Sequence, residues 1–276
     1  MKKIGRKIAF YAAVIITCVV VIFPAYWMVV TSLTKRTSLL NNSGVFPPLE
    51  NLSTDAYIRI FQERPIGVWF TNSVVITGLT ILLVLIVSTL AAYSLSRYRF
   101  RSNRVIGYAL LLACMLPPTL IIIPLYMIFS RLSIINSFLS VVLANTAITV
   151  PFTTWMMKGF FDGIPVSLEE AAQIDGCGVL SSILRIILPL SLPGLATTVI
   201  YVAVLSWSDF LFARTFLLDE TKWTMTTGVY SMIGEHLIMW EEICAVSVLS
   251  ILPITVLFMF FQKYLVKGMA LGAVKQ

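Results

Sequence analysis

Six stretches of this 276-residue chain carry no charged side chain: residues 8–34, 71–96, 105–130, 132–157, 186–208 and 243–262. A helix needs about 20 mostly apolar residues to cross the hydrocarbon core of a bilayer. Lipid offers the backbone no partners, so a crossing segment must satisfy its own peptide groups. The runs are continuous rather than alternating with period two, which argues against a β-barrel. The expected fold class is therefore an all-α integral membrane protein with six transmembrane helices, one domain over 1–276. The spans fall at about 8–34, 71–96, 105–130, 132–157, 186–212 and 243–262.

Composition closes the other routes. Charged residues make up 12% of the chain and hydrophobic residues 58%, with a mean hydropathy of +0.92. A soluble domain needs about twice that share of charge to cover its surface. A disordered chain would hold far less apolar surface. The formal net charge is +7, but the basic residues sit in short clusters between apolar runs. That pattern fits membrane orientation better than a nucleic-acid groove, and no nucleic-acid partner is expected. Pro24, Pro117, Pro118, Pro124, Pro151, Pro193 and Pro253 interrupt several spans. Each removes a backbone donor, and each is read as a kink or as a bend lining a pathway.

Lysine and arginine set the orientation. With the N-terminus inside, the inner segments hold Lys2, Lys3, Arg6, Lys7, Arg97, Arg99, Arg101, Arg104, Lys158, Arg185, Lys263, Lys267 and Lys275. The outer segments hold Lys35, Arg36, Arg59, Arg64, Arg131, Arg214 and Lys222. The excess of thirteen over seven predicts both termini in the cytoplasm. The start resembles a signal peptide in charge, but its apolar run is long and no small-x-small site follows. It is read as an uncleaved first span.

Two outer segments stand out. Residues 35–70 are expected to hold a short helix near 53–62, capped by Ser53. Residues 217–242 contain Trp223, Tyr230, Trp240 and the sole histidine, His236, read as a surface residue. Cys18, Cys114, Cys177 and Cys244 lack metal-ligand spacing and are read as small hydrophobes.

The most informative segment is the inner loop 158–190. Ser167 precedes Glu170 by three residues, a capping-box spacing that predicts a helix from Leu168. Glu169 and Glu170 then lie in its first turn, where negative charge suits the helix dipole. Gly176 or Gly178 ends it. A second helix follows from about Val179 toward Pro189. A short helix with such defined ends, carrying Ala171, Ala172 and Asp175, reads as a rigid knob for a protein partner.

This loop resembles that of a known family. Glu170-Ala171-Ala172, Gly176, Ile186, Leu188 and Pro189 reproduce E-A-A-x3-G-x9-I-x-L-P. The pattern is similar to the coupling loop of permease subunits in bacterial binding-protein-dependent ABC importers. Asn72-Ser73, Ala91-Ala92-Tyr93 and the tail with Gln262-Lys263-Tyr264, Gly268, Gly272 and Lys275 resemble the carbohydrate-uptake branch, the smaller, maltose-type subunit. Cys177 stands where that family usually has alanine, and Gln276 where it has a final glycine.

The resemblance implies an ABC type I importer permease fold with a cytoplasmic coupling helix, in a bacterial inner membrane. It implies Glu169, Glu170, Ala171, Ala172, Asp175, Gly176, Ile186, Leu188 and Pro189 as residues coupling to the ATPase, with weaker tail contacts at Gly268, Gly272 and Lys275. The implied partners are a second homologous permease, a dimer of cytoplasmic ATPase subunits, an extracytoplasmic solute-binding protein and the bilayer. The sequence has no G-x-x-x-x-G-K-[ST], so ATP and magnesium are expected on the ATPase and no cofactor on this chain. The chain is then not itself an enzyme.

The substrate path is less marked. Polar residues at membrane depth are candidates, chiefly Asn145, Thr149, Thr153, Ser206 and Asp209, with Thr146, Thr154 and Ser208 beside them. Helix packing is the competing role for all of them, and Arg214 is a local neutraliser for Asp209. The alternative function is an ion-coupled secondary transporter, which needs buried carboxylates or paired broken helices. Only Asp209 offers the former. A membrane enzyme would need clustered catalytic side chains, and none are seen.

Overall fold

The computed structural model describes residues 2–40, 47–98, 101–233 and 238–273. Among them the chain is helical, with one isolated bridge between Thr34 and Leu52. In chain order the helices are α1 (Lys2–Ser32), α2 (Arg36–Leu40), α3 (Asp55–Glu63), α4 (Ile66–Arg97), α5 (Asn103–Met115), α6 (Pro118–Arg131) and α7 (Phe138–Asp162). They continue as α8 (Ser167–Ile174), α9 (Val179–Ser182), α10 (Leu188–Leu190), α11 (Leu192–Trp207), α12 (Leu211–Phe216), α13 (Met225–Ile233) and α14 (Trp240–Ala273). A π-helical turn, Ile183–Ile187, joins α9 to α10.

Four helices are long and apolar enough to cross a membrane: α1, α4, α7 and α14. The third and fifth expected spans are not straight helices but bent pairs. α5 meets α6 at 100°, and the run Val179–Leu190 meets α11 at 83°. Counting each pair as one span gives six. Proline explains the first bend. Leu116 and Pro117, each preceding a proline, are extended, with ψ of 122° and 137°. A residue before proline is driven out of the helical region. The second bend falls at Ser191 (φ −96°, ψ 17°), between Pro189 and Pro193. Pro24, Pro124, Pro151 and Pro253 remain inside their helices.

The chain divides into two compact units. One comprises residues 1–67 and 228–252. There the chain after α1 is tied down by backbone bonds from Lys35 N to Asn51 O (2.8 Å) and from Ser53 N to Leu33 O (2.7 Å). The helix expected near 53–62 is α3. It starts at Asp55, and Ser53 Oγ accepts the Asp55 N–H at 3.0 Å. Arg59 on α3 holds two buried carboxylates from the first turn of α14. Its Nε donates to Glu242 at 2.7 Å and its Nη2 to Glu241 at 3.3 Å. The bond to Glu242 raises the guanidinium pKa above its usual value.

The second unit comprises residues 68–227 and 253–276. α7 is its centre, packed by α5, α6, α11 and α12. α4 buries Ile76, Thr80, Val84, Ser88 and Ala92, a stripe of every fourth residue. The hydroxyls of Thr80 and Ser88 bond back to the carbonyls of Ile76 and Val84, so the stripe leaves no orphaned donor there. One apolar core gathers Ile76, Phe129, Val141, Phe212 and Phe216. A second gathers Ala92, Tyr93, Met157, Phe161, Ile183 and Ile187, and it underlies the loop that carries the sequence motif.

Candidate functional site

The motif-bearing loop is built around α8. The helix starts one residue before the expected Leu168, with Ser167 as its first residue and Val166 as N-cap. No capping box forms. The first bonds run from Glu169 N and Glu170 N to Val166 O, and no side chain caps the N-terminus. Glu169 is turned inward instead. Glu169 and Glu170 do fall in the first turn.

The C-terminus closes as the glycine predicts. Gly176 has φ +85°, a left-handed conformation that disfavours any residue with a Cβ. Gly176 N donates to Gln173 O at 3.0 Å and Cys177 N to Ala172 O at 2.9 Å. These two bonds form a Schellman motif around Gly176 and satisfy carbonyls that the helix end would orphan. Gly178 is extended, and α9 begins at Val179 as expected.

A single arginine mounts α8. Arg97, the last residue of α4, bonds Glu169 Oε1 through Nε. Its Nη1 donates to Phe161 O at 3.0 Å and Ser96 Oγ at 3.1 Å, and its Nη2 to Ile164 O at 3.2 Å. The guanidinium thus meets carbonyls at the C-terminal end of α7, where a cation is favoured. Tyr93, one turn earlier on α4, donates its hydroxyl to Glu169 Oε2 at 2.8 Å. Glu169 is 3% exposed. Ser96 also donates to Asp162 at 2.6 Å, and Lys158 pairs with Asp162 at 2.6 Å.

The opposite face of α8 is open. Glu170, Ala171, Gln173, Ile174, Asp175 and Gly176 are exposed, and Ile174 is 87% exposed. Ala172 is buried beside Glu169. Leu180, on the following helix, is also exposed. Apolar side chains held outward on a rigid mount form a surface ready for a partner.

Ile186, Leu188 and Pro189 belong to the π turn and α10, with Ile186 and Leu188 half-buried and Pro189 exposed. Pro189 lacks the N–H that would bond Arg185 O, and the chain adopts a π turn across that point. Gly268 and Gly272 lie within α14. Lys275 and His236 lie outside the described residues.

Asn145, Thr149 and Thr153 are buried along α7. Thr149 bonds back to Asn145 O at 2.7 Å and Thr153 to Thr149 O at 2.9 Å. Asn145 Nδ2 lies 3.5 Å from Ser206 Oγ on α11. The Asp209 carboxylate accepts the N–H groups of Phe212 and Ala213, both at 3.1 Å, at the start of α12. Asn145 and Ser206 thus bring two polar side chains together between α7 and α11. Arg214 sits over the Trp223 ring at 5.3 Å.

Sequence reasoning counted Arg97 only as a topology charge and did not single out its link to Tyr93. The signal was available: an i, i+4 pair puts both side chains on one face of α4 at its charged end. Among the described residues, no three His, Cys, Asp or Glu side chains gather as metal ligands.

These features define a polytopic helical membrane protein that presents a capped, internally clamped helix between two of its spans. The chain belongs to the family of binding-protein-dependent transport system inner membrane components, whose model matches residues 84–271. It is thus a permease component, and ATP hydrolysis belongs to a separate subunit of such systems. It is 34% identical to the melibiose/raffinose/stachyose import permease protein of Bacillus subtilis, over 98% of this chain and 97% of that one. It is 30% identical to the trehalose/maltose transport system permease protein of Thermococcus litoralis, over 99% of each. In fold it matches a chain of a bacterial ABC transporter involved in alginate import, with TM-score 0.82 and 22% identity, covering 94% and 96% of the two chains.

Proposed function

We propose that this chain is a transmembrane subunit of an ATP-driven importer for a sugar or sugar-like solute, with both termini in the cytoplasm. The observation that carries this reading is α8, clamped from within through Glu169 and open outward through Glu170, Ile174 and Gly176. The exposed face docks a cytoplasmic ATPase subunit, and closure of two such subunits around ATP shifts the permease between its inward- and outward-facing states. A second permease encloses the path with this one, and an extracytoplasmic binding protein delivers the solute. One relative imports melibiose, raffinose and stachyose by its name and another trehalose and maltose, which supports a carbohydrate substrate. Asn145, Thr149, Thr153, Ser206 and Asp209 contribute to the polar lining or to the gating contacts of that path.

The test is reconstitution of the complete complex in proteoliposomes. ATP hydrolysis should rise when loaded binding protein is supplied, and solute should accumulate only with ATP. A cysteine at Ile174 should cross-link to the ATPase subunit. Solute uptake that persists without the ATPase subunits would overturn the reading. An ion-coupled carrier would give that result, but no observation on this chain favours one.

A further inference from the structure

We infer that Arg97 and Tyr93 are positioning residues that tie the docking helix rigidly to α4, so that motion imposed on α8 reaches the transmembrane helices through the Glu169 carboxylate. This inference rests on the proposed function, because it names the route by which that function transmits force.

The geometry favours α4 as the recipient. Glu169 is buried, and both of its oxygens are taken by α4, one by Arg97 and one by Tyr93. The Arg97 side chain is 8% exposed. A buried ion pair is held firmly once formed, because removing one partner leaves an unmatched charge in a low-dielectric site. The remaining Arg97 donors fasten the same point to Phe161 O and Ile164 O. The guanidinium therefore joins the last turn of α4, the end of α7 and the first turn of α8 in one node.

Among the described residues, no side-chain hydrogen bond or ion pair fastens the other side of α8. Its C-terminus is closed by backbone bonds around Gly176, and nothing lies within 4 Å of where a Gly176 Cβ would stand. Force on the exposed face thus passes inward through Glu169. Beneath the node, Tyr93, Met157, Phe161, Ile183 and Ile187 pack as one core. Packed groups shift between discrete arrangements rather than deforming smoothly, so the node moves with α4 as a unit.

The test uses the whole complex with its ATPase subunits, second permease and binding protein. Arg97→Gln, Glu169→Gln, Tyr93→Phe and the exchanged pair Arg97→Glu with Glu169→Arg are compared with wild type. Arg97→Gln and Glu169→Gln should keep the ATPase subunits bound at wild-type stoichiometry. They should lower the solute transported per ATP hydrolysed by roughly tenfold, the scale of a typical coupling free energy. Tyr93→Phe should lower it less, and the exchanged pair should recover part of the loss. Wild-type coupling ratios in both Gln variants would overturn the proposal.

A second readout does not depend on transport. Spin labels at Ile174→Cys and Leu90→Cys, both exposed positions, should give one narrow distance distribution. Arg97→Gln should broaden it. An unchanged distribution in Arg97→Gln would overturn the clamp even if transport fell. If the wild-type complex itself failed to couple ATP to uptake, the proposed function would fall while the distance measurement still judged the clamp.

Discussion

The Phe160 ring occupies the space that a side chain at Gly194 would need. A Cβ built on Gly194 would stand 2.6 Å from both Cγ and Cδ2 of Phe160. The first turn of α11 can approach α7 this closely only because residue 194 has no side chain. Membrane helices gain their packing from such small-residue contacts, since lipid supplies little hydrophobic drive between them.

Gly194→Ala should therefore destabilise the protein by about 1–3 kcal/mol, the usual cost of overpacking a filled site. Pairing it with Phe160→Leu should recover part of the loss, because the obstruction is one ring rather than backbone. Thermal unfolding of the purified protein in detergent measures both. A Gly194→Ala variant as stable as wild type would mean that the ring moves aside freely.

Much of this architecture was legible in the sequence, and the parts that were not share a physical cause. Continuous uncharged runs fix the spans because lipid penalises every charge in them. The E-A-A…G spacing marked α8 and its glycine end because a left-handed C-cap has a narrow residue requirement. The N-terminus departs from the Ser167–Glu170 capping box because the helix begins one residue earlier, with Val166 as N-cap, so the Ser167 side chain does not stand at the capping position. The inward turn of Glu169 was not legible either, because its partners Arg97 and Tyr93 lie on α4, far away in sequence. The two bent pairs were hidden for a related reason. Proline marks where a helix can break, but Pro117 and Pro118 break theirs while Pro151 stays inside α7.

Asn136 knits the turn before α7 to the segment after α12. It has φ +60°, its Oδ1 accepts the N–H groups of Leu218 and Asp219, and its Nδ2 donates to Asp219 at 2.5 Å. Asn136→Ala should destabilise more than Asn136→Gly, because alanine loses the same bonds and also resists the left-handed backbone. The Asn136 hydrogen bond is the main cause holding the Asp219 pKa below its usual 3.8. A depressed carboxylate pKa stabilises the fold above the unfolded value, and that contribution fades as pH falls through the folded one. The stability gap between wild type and Asn136→Ala should thus be flat above about pH 4 and shrink below it. Unfolding midpoints across that range provide the check, and a gap that widened in acid would contradict the assignment.

Arg59 balances two buried carboxylates, Glu241 and Glu242. Arg59→Met removes the cation paired with both among the described residues and should cost about 2–3 kcal/mol, less than the roughly 3–5 kcal/mol of a fully buried broken pair, because the Arg59 side chain is partly solvated. The companion variant Arg59→Met with Glu242→Gln should be more stable than Arg59→Met alone, since it removes one stranded charge. Thermal unfolding distinguishes them, and equal losses would show that the stem of Arg59 matters more than its charge.

Gly176 gives the cleanest separation of backbone from packing. Open space surrounds the position where its Cβ would stand, yet φ is +85°. Within this chain a substitution there meets no neighbour, so its effect on α8 itself is conformational. Gly176→Val, with a β-branched side chain, should cost about 1–2 kcal/mol by disfavouring the left-handed state and loosening the bonds to Ala172 and Gln173. Gly176→Asn should cost less, because asparagine tolerates that region. The expected order of ATPase subunits retained on co-purification is wild type, then Asn, then Val, with insertion and Arg97-dependent mounting of α8 unchanged. Equal retention in all three would show that the last turn of α8 does not set the docking surface.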